Sequence, residues 1–129
     1  MPKNFIKCLL IDDDADDHFF FKEALSSLNN NVELTIAVNG IDALDKLQKQ
    51  SPDCIFLDLN MPLMPGKEFL KAIRAKPKFP KIPIYVLTTA MYEKEMIDSL
   101  SLGATSFFIK PTKIKQLSNI LRYTILGEG

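Results

Sequence analysis

The chain has 129 residues, enough for one domain with a substantial core, and the expectation is a single domain over residues 1–129 with no appended output domain. Hydrophobic residues make up 47% and charged residues 25%, with 5 Gly and 8 Pro, a composition of globular domains and not of collagenous, disordered or membrane-spanning chains. Lys and Arg number 16, as do Asp and Glu, and this zero formal charge argues against broad electrostatic binding to nucleic acid or an anionic membrane.

The start, MPKNFIKCLLIDDD, lacks the long apolar stretch and small-residue cleavage site of a signal peptide, so the expected location is the cytoplasm. Cys8 and Cys54 lie too far apart for a CxxC motif and are expected to be free, buried thiols.

In chain order, residues 5–11 (FIKCLLI) form an apolar run that stops abruptly at Asp12, as a buried strand does. Residues 14–29 read as a helix with acids in the first turn, where the macrodipole favours them, closed by the asparagines of 29–31. A second strand over 32–38 alternates Val32, Leu34, Ile36 and Val38 with polar or small residues, and Asn39-Gly40 turns the chain. Ile41, Leu44 and Leu47 recur at helical spacing over 41–49. Ser51-Pro52 breaks that helix before a third strand over 54–57, which stops at Asp58. NMPLMPG (60–66) is a loop, 67–75 a helix with Phe69, Leu70 and Ile73 on one side, and KPKFPK (76–81) a basic connector. A fourth strand over 82–87 ends at Thr88-Thr89, and a helix over 92–102 stops at Gly103. SFFI (106–109) is a fifth strand ending at Lys110-Pro111, and 114–125 is a final amphipathic helix.

Five strands alternating with five helices imply βαβ units and a parallel sheet covered on both faces. The strands read as continuous apolar runs, as such sheets require. The unusual polar residues then fall at the carboxyl ends of strands: Asp12 and Asp13 after the first, Asp58 after the third, Thr88 after the fourth, Lys110 after the fifth. Open α/β sheets bind ligands outside those ends, where strand order reverses. Three carboxylates gathered there repel one another unless a cation neutralises them. Mg²⁺ suits them, being a hard ion that takes oxygen ligands and keeps positions for phosphoryl oxygens. A carboxylate can also be a covalent nucleophile, with Lys110 and the Thr88 hydroxyl serving a transferred phosphoryl group.

One at a time these residues read more plainly. Asp12, Asp13 and Asp14 are helix caps, Asp16 and Asp17 solvated first-turn acids, Thr88 a strand-end residue and Lys110 a surface lysine. Their coincidence at one edge favours the phosphoryl site. His18 reads as structural, Phe19, Phe20 and Phe21 as core packing with at least one meeting the last helix, and Met61 and Met64 as loop packing.

The runs LLIDDD, FLDLNMPLMPG, YVLTTA and FFIKP, with Asp13, Asp58, Thr88 and Lys110 spaced by 45, 30 and 22 residues, resemble the receiver domain of two-component response regulators, the CheY-like family. The likeness covers essentially the whole chain. It implies a flavodoxin-like doubly wound (βα)5 fold with strand order 2-1-3-4-5. It further implies Asp58 as phosphoacceptor and a Mg²⁺ held by Asp12, Asp13, Asp58 and the backbone carbonyl of Asn60, with Asp13 the more direct ligand of the acidic pair. Thr88 and Lys110 match the family's hydroxyl and lysine, Thr88 and Phe107 its switch pair, and Pro111 follows a candidate cis peptide bond. Asp14 stands where an acid is common. The DDDADD opening and the KPKFPKIP connector look like stand-alone receivers paired with phytochrome-type or hybrid histidine kinases.

The expected function is phosphoryl acceptance from a sensor histidine kinase or phosphotransfer protein, and signalling to a protein target through the fourth helix, fifth strand and fifth helix. On this reading the chain is no enzyme beyond promoting its own phosphorylation and dephosphorylation, and is a monomer or a phosphorylation-dependent homodimer. A haloacid dehalogenase-type phosphohydrolase needs a second Asp two residues after the nucleophile, and Asn60 stands there. A non-phosphorylated interaction module is expected to lack Asp13, Asp58 or Lys110, and all three are present. Flavin binding lacks its phosphate loop after the first strand.

Overall fold

The computed structural model describes residues 5–28, 31–79, 81–89 and 92–127. The elements alternate without exception: β1 (Ile6–Ile11), α1 (Ala15–Ser26), β2 (Val32–Ala37), α2 (Gly40–Lys49), β3 (Cys54–Leu57), α3 (Gly66–Arg74), β4 (Ile84–Thr88), α4 (Glu93–Ser101), β5 (Ser106–Ile109) and α5 (Ile114–Leu126). All five strands are parallel and lie in the order β2-β1-β3-β4-β5, the flavodoxin-like arrangement that the resemblance implied. Every strand therefore delivers its carboxyl end to the same edge.

Two apolar layers cover the sheet. On one face Leu9, Ile11, Ile55, Leu57, Ile84 and Val86 pack with Ala43 and Leu47 of α2 and Phe69, Leu70 and Ile73 of α3. On the other, Cys8, Leu10, Cys54, Phe56 and Leu87 pack with Phe21 and Ala24 of α1 and Leu117 and Leu121 of α5. Successive strand residues alternate between these layers, which is why the strands read as unbroken apolar runs. Phe56 meets Phe21 edge-on with ring centroids 5.2 Å apart, and Tyr85 at the same 5.2 Å. Cys8 and Cys54 are free, buried, and directly opposite in the β1–β3 register.

Phe20 and Phe21 enter the α1–α5 layer as core packing, but Phe19, also expected to pack in the core, is 64% exposed. Three consecutive residues at 100° spacing cannot share one buried stripe. Helix α1 begins at Ala15, with Asp14 as its N-cap, and Asn29 lies outside the described residues. Strand β4 starts at Ile84 rather than 82, since Pro83 has no N–H for the ladder; its carbonyl accepts from Ile55 N at 2.9 Å. Gly103 takes φ +107, and the bonds Ala104 N to Ser99 O (3.0 Å) and Gly103 N to Leu100 O (3.1 Å) close α4 in a Schellman motif. No cis peptide bond occurs among the described residues, so the Lys110–Pro111 bond is trans, against expectation. Trans is favoured before proline by about 0.5–1 kcal/mol, and the site forms without departing from it.

Candidate functional site

The backbone of the site is an extension of the sheet. Just beyond the strand ends, Asp12 N donates to Ala37 O of β2 (3.0 Å), Asp58 N to Ile11 O of β1 (3.0 Å) and Lys110 N to Thr88 O of β4 (2.8 Å). Asp12, Asp58 and Lys110 are thus each anchored by a neighbouring strand, while their side chains meet in the crevice. Gly66 brings the start of α3 against the same place: a Cβ there would lie 2.7 Å from Asp58 O and 2.7 Å from Leu59 Cα, so only glycine permits this approach.

Asp12, Asp58 and Thr88 are buried, at 2%, 5% and 0% exposure, whereas Asp13 faces solvent. Carboxylate oxygens of Asp12, Asp13 and Asp58 all lie within 4.8 Å of one another. The Thr88 hydroxyl donates to Asp58 Oδ1 at 2.9 Å, and Asn60 N–H donates to the same oxygen at 3.3 Å. Lys110 Nζ lies 2.9 Å from Asp12 Oδ2, 2.6 Å from Asp17 Oδ2 and 3.5 Å from Asp58 Oδ2. The last distance is too long for a strong hydrogen bond, so Asp58 Oδ2 is the less committed oxygen of that carboxylate. Phe107 is half-buried and packs against the α2–α3 layer.

Electrostatics follow from burial. The Asp12 carboxyl is raised from 3.8 to about 6, chiefly because burial disfavours its charge. The Asp14 N–H bond and Lys110 oppose the rise, and the charge of Asp58 adds to it. Burial disfavours the Lys110 charge as well, but its bonds to Asp17 and Asp12 outweigh that, so the ammonium is held above the ordinary lysine value. Asp12 is further fixed at both ends of its residue: Oδ1 accepts Asp14 N–H at 3.0 Å, and its carbonyl accepts His18 Nε2–H at 2.6 Å.

All five principal residues named from sequence, Asp12, Asp13, Asp58, Thr88 and Lys110, come together at this edge. Asp14 caps α1 by accepting Asp16 N–H at 2.8 Å and Asp17 N–H at 3.4 Å. Asp17 is a correction. Expected to be a solvated first-turn acid, it makes the shortest contact to Lys110, a residue 93 positions away. No local sequence signal marks such a pairing. In the loop after β3, Leu63 adopts φ +67 and Met64 N donates to Pro62 O at 2.8 Å, a tight positive-φ turn that strains a branched residue. Met61 is buried and Met64 half-buried, both packing the loop against the α2–α3 layer.

The donor set fits a small divalent cation: three carboxylates within reach of one centre, hard oxygen donors only, and Asp13 open to water on one side. A doubly wound parallel sheet carrying such a crevice at the β1/β3 switch point defines a ligand-binding α/β domain. A family model for the response regulator receiver domain matches residues 8–122, and the chain belongs to that family.

Response regulator Rcp1 of Synechocystis sp. is 32% identical over 121 residues, 88% of this chain and 82% of that protein. A chemotaxis protein CheY homolog of Campylobacter jejuni is 31% identical over 125 residues, 96% of this chain and 95% of its own. Among solved structures, the phosphorylated cyanobacterial phytochrome response regulator RcpA superposes with a TM-score of 0.87 at 26% identity, covering 97% of each chain. The Mn²⁺-bound form of Rcp1 superposes at 0.84 with 30% identity over 96% of each chain. The chain also spans 16% of the length of the sensor histidine kinase CheAY of Helicobacter pylori. Among the described residues no helix is long and apolar enough to cross a membrane.

Proposed function

We propose that this receiver domain accepts a phosphoryl group on Asp58 from a histidine kinase or phosphotransfer protein, in a Mg²⁺-dependent step, and passes the resulting state on by protein contact. The convergence of Asp12, Asp13, Asp58, Thr88 and Lys110 at one sheet edge carries this reading. Asp58 Oδ2 forms the new P–O bond while the P–N bond of a phosphohistidine, or the P–O bond of a small acyl phosphate, breaks and its electron pair leaves with the donor. Such transfer asks mainly for in-line positioning and charge neutralisation. Thr88 holds the other oxygen of Asp58 and thereby orients the carboxylate, and Lys110 supplies positive charge on the opposite side. Asp12, Asp13, Asp58 and the Asn60 carbonyl would hold Mg²⁺, which when bound neutralises the carboxylates and the incoming phosphoryl oxygens.

The phosphoryl group then draws on the Thr88 hydroxyl, and Phe107, on the neighbouring strand, responds to the change in packing. The surface of α4, β5 and α5 lies beyond this pair. Its exposed apolar residues, Tyr92 (77%), Ile97 (52%), Ile109 (47%) and Tyr123 (58%), suit a protein partner, whether a downstream target or a second copy. Phosphorylation thus favours one of two pre-existing surface states.

The test is incubation with acetyl phosphate and Mg²⁺, followed by intact-mass measurement. One added phosphoryl is expected in the wild type, with none in Asp58→Asn and none when a chelator removes Mg²⁺. Labelling that persists without divalent metal, or in Asp58→Asn, overturns the reading.

A further inference from the structure

The lysine of the site has three ammonium protons and three carboxylates around it. Its shortest contact is to Asp17 Oδ2 at 2.6 Å and its longest to Asp58 Oδ2 at 3.5 Å. We propose that Asp17 is a positioning residue that competes with Asp58 for Lys110 and holds the lysine back from the phosphoryl position until the phosphoryl group arrives. The inference rests on the phosphoryl-acceptor reading of Asp58 and adds to it a residue outside the motif.

The two ends of the contest differ in rigidity. Asp17 sits in the first turn of α1, pinned by the Asp14 cap and favoured there by the helix dipole. Lys110 is fixed at its backbone through its N–H bond to Thr88 O, but its ammonium rides on a four-carbon stem and is placed by the carboxylates it meets. The ammonium is the part that moves. A cation bound among Asp12, Asp13 and Asp58 weakens their pull on Lys110, which leaves Asp17 as the carboxylate that retains it. A phosphoryl group at Asp58 brings nearly two negative charges and reverses the balance. Every transfer must therefore draw Lys110 away from Asp17, and the strength of that pair enters the barrier.

If Asp17 were only a dipole partner of α1, its removal would act through helix stability and leave Lys110 indifferent. A double-mutant cycle separates the two cases. The initial rate of labelling from acetyl phosphate at saturating Mg²⁺ should rise about fivefold in Asp17→Asn, remain near wild type in Asp17→Glu, and be insensitive to Asp17→Asn in a Lys110→Ala background. A label-free measurement runs beside it. Without Asp17 the ammonium falls back on Asp12 and Asp58 and competes with the metal, so the Mg²⁺ dissociation constant from titration calorimetry should rise about threefold in Asp17→Asn. In the Lys110→Ala background the same substitution should change it by less. Equal effects of Asp17→Asn in both backgrounds, or a labelling rate that is unchanged or slowed, overturns the proposal. A wild type that never labels yet shows the Mg²⁺ coupling sinks the acceptor reading and leaves the contest for Lys110 standing. Labelling without coupling does the reverse.

Discussion

The two edges of the sheet use the same kinds of side chain for opposite ends. At the amino edge Asp53 Oδ2 accepts Lys7 N–H at 2.8 Å, and Thr105 Oγ1 accepts Ile84 N–H at 3.0 Å. Arg74 donates there to Gly103 O at 3.0 and 2.8 Å and to Phe79 O at 2.9 Å. An acid, a hydroxyl and a cation each satisfy main-chain groups that the strands and helices leave open. At the carboxyl edge the acid, hydroxyl and cation meet one another instead: Thr88 on Asp58, Lys110 on Asp12, Asp17 and, more distantly, Asp58. The lesson is that residue type does not distinguish structural from chemical work. What marks the carboxyl edge is that its acids, besides accepting Asp14 N–H and Asn60 N–H, also meet a hydroxyl and a cation whose charge or place a bound group can change.

Substitution of the cation at each edge should expose that difference most strongly. Lys110→Ala leaves buried Asp12 and Asp58 without their counter-charge and should cost about 3–5 kcal/mol in the metal-free protein, read by chemical denaturation. Mg²⁺ should restore much of the loss, since about a hundredfold excess over the dissociation constant adds about 2.7 kcal/mol and no lysine then competes for the carboxylates. Arg74→Ala should cost about 2 kcal/mol through carbonyls left unsatisfied, with a gain from Mg²⁺ no larger than the wild type's. Equal rescue of the two variants would dissolve the distinction between the edges.

The next effect is on pH. Because burial raises the folded Asp12 carboxyl to about 6 from the 3.8 of an ordinary aspartate, the folded chain binds more protons than the unfolded one between those values. Metal-free stability contributed by this group is therefore greatest below pH 4 and falls as pH rises through 6, by at most about 3 kcal/mol. Mg²⁺ affinity should move the opposite way, weakening by up to about tenfold per unit as pH drops below 6. Thermal melts and calorimetry across pH 4–8, with and without Mg²⁺, check both signs. Smallest is Leu63→Gly, which relieves the positive-φ turn and should raise stability by about 1 kcal/mol without altering metal affinity.

The sequence made the sheet and most of the site legible for one reason: parallel buried strands read as apolar runs, and an acid, hydroxyl or lysine that ends such a run is conspicuous. Asp12, Asp58, Thr88 and Lys110 all stand there. Asp17 does not. It sits among solvated-looking acids in a helix turn, and its partner is brought to it only by packing of α1 beside α5 and the strand end at Lys110. Arg74 was equally silent, because carbonyls carry no sequence signature, and Phe19 looked like its neighbours until the helix phase turned it to solvent. The trans bond before Pro111 departs from what the resemblance implied and follows the intrinsic preference of an X-Pro bond.

The central claim is that chemistry belongs to the carboxyl edge and is received at one atom group there. Peptide mapping by tandem mass spectrometry after reaction with acetyl phosphate and Mg²⁺ addresses it most directly. The account predicts a single phosphoryl group located on Asp58 in the wild type and equally in Arg74→Ala. A label found on His18, on another aspartate or at the amino edge, with Asp58 unmodified, would contradict it.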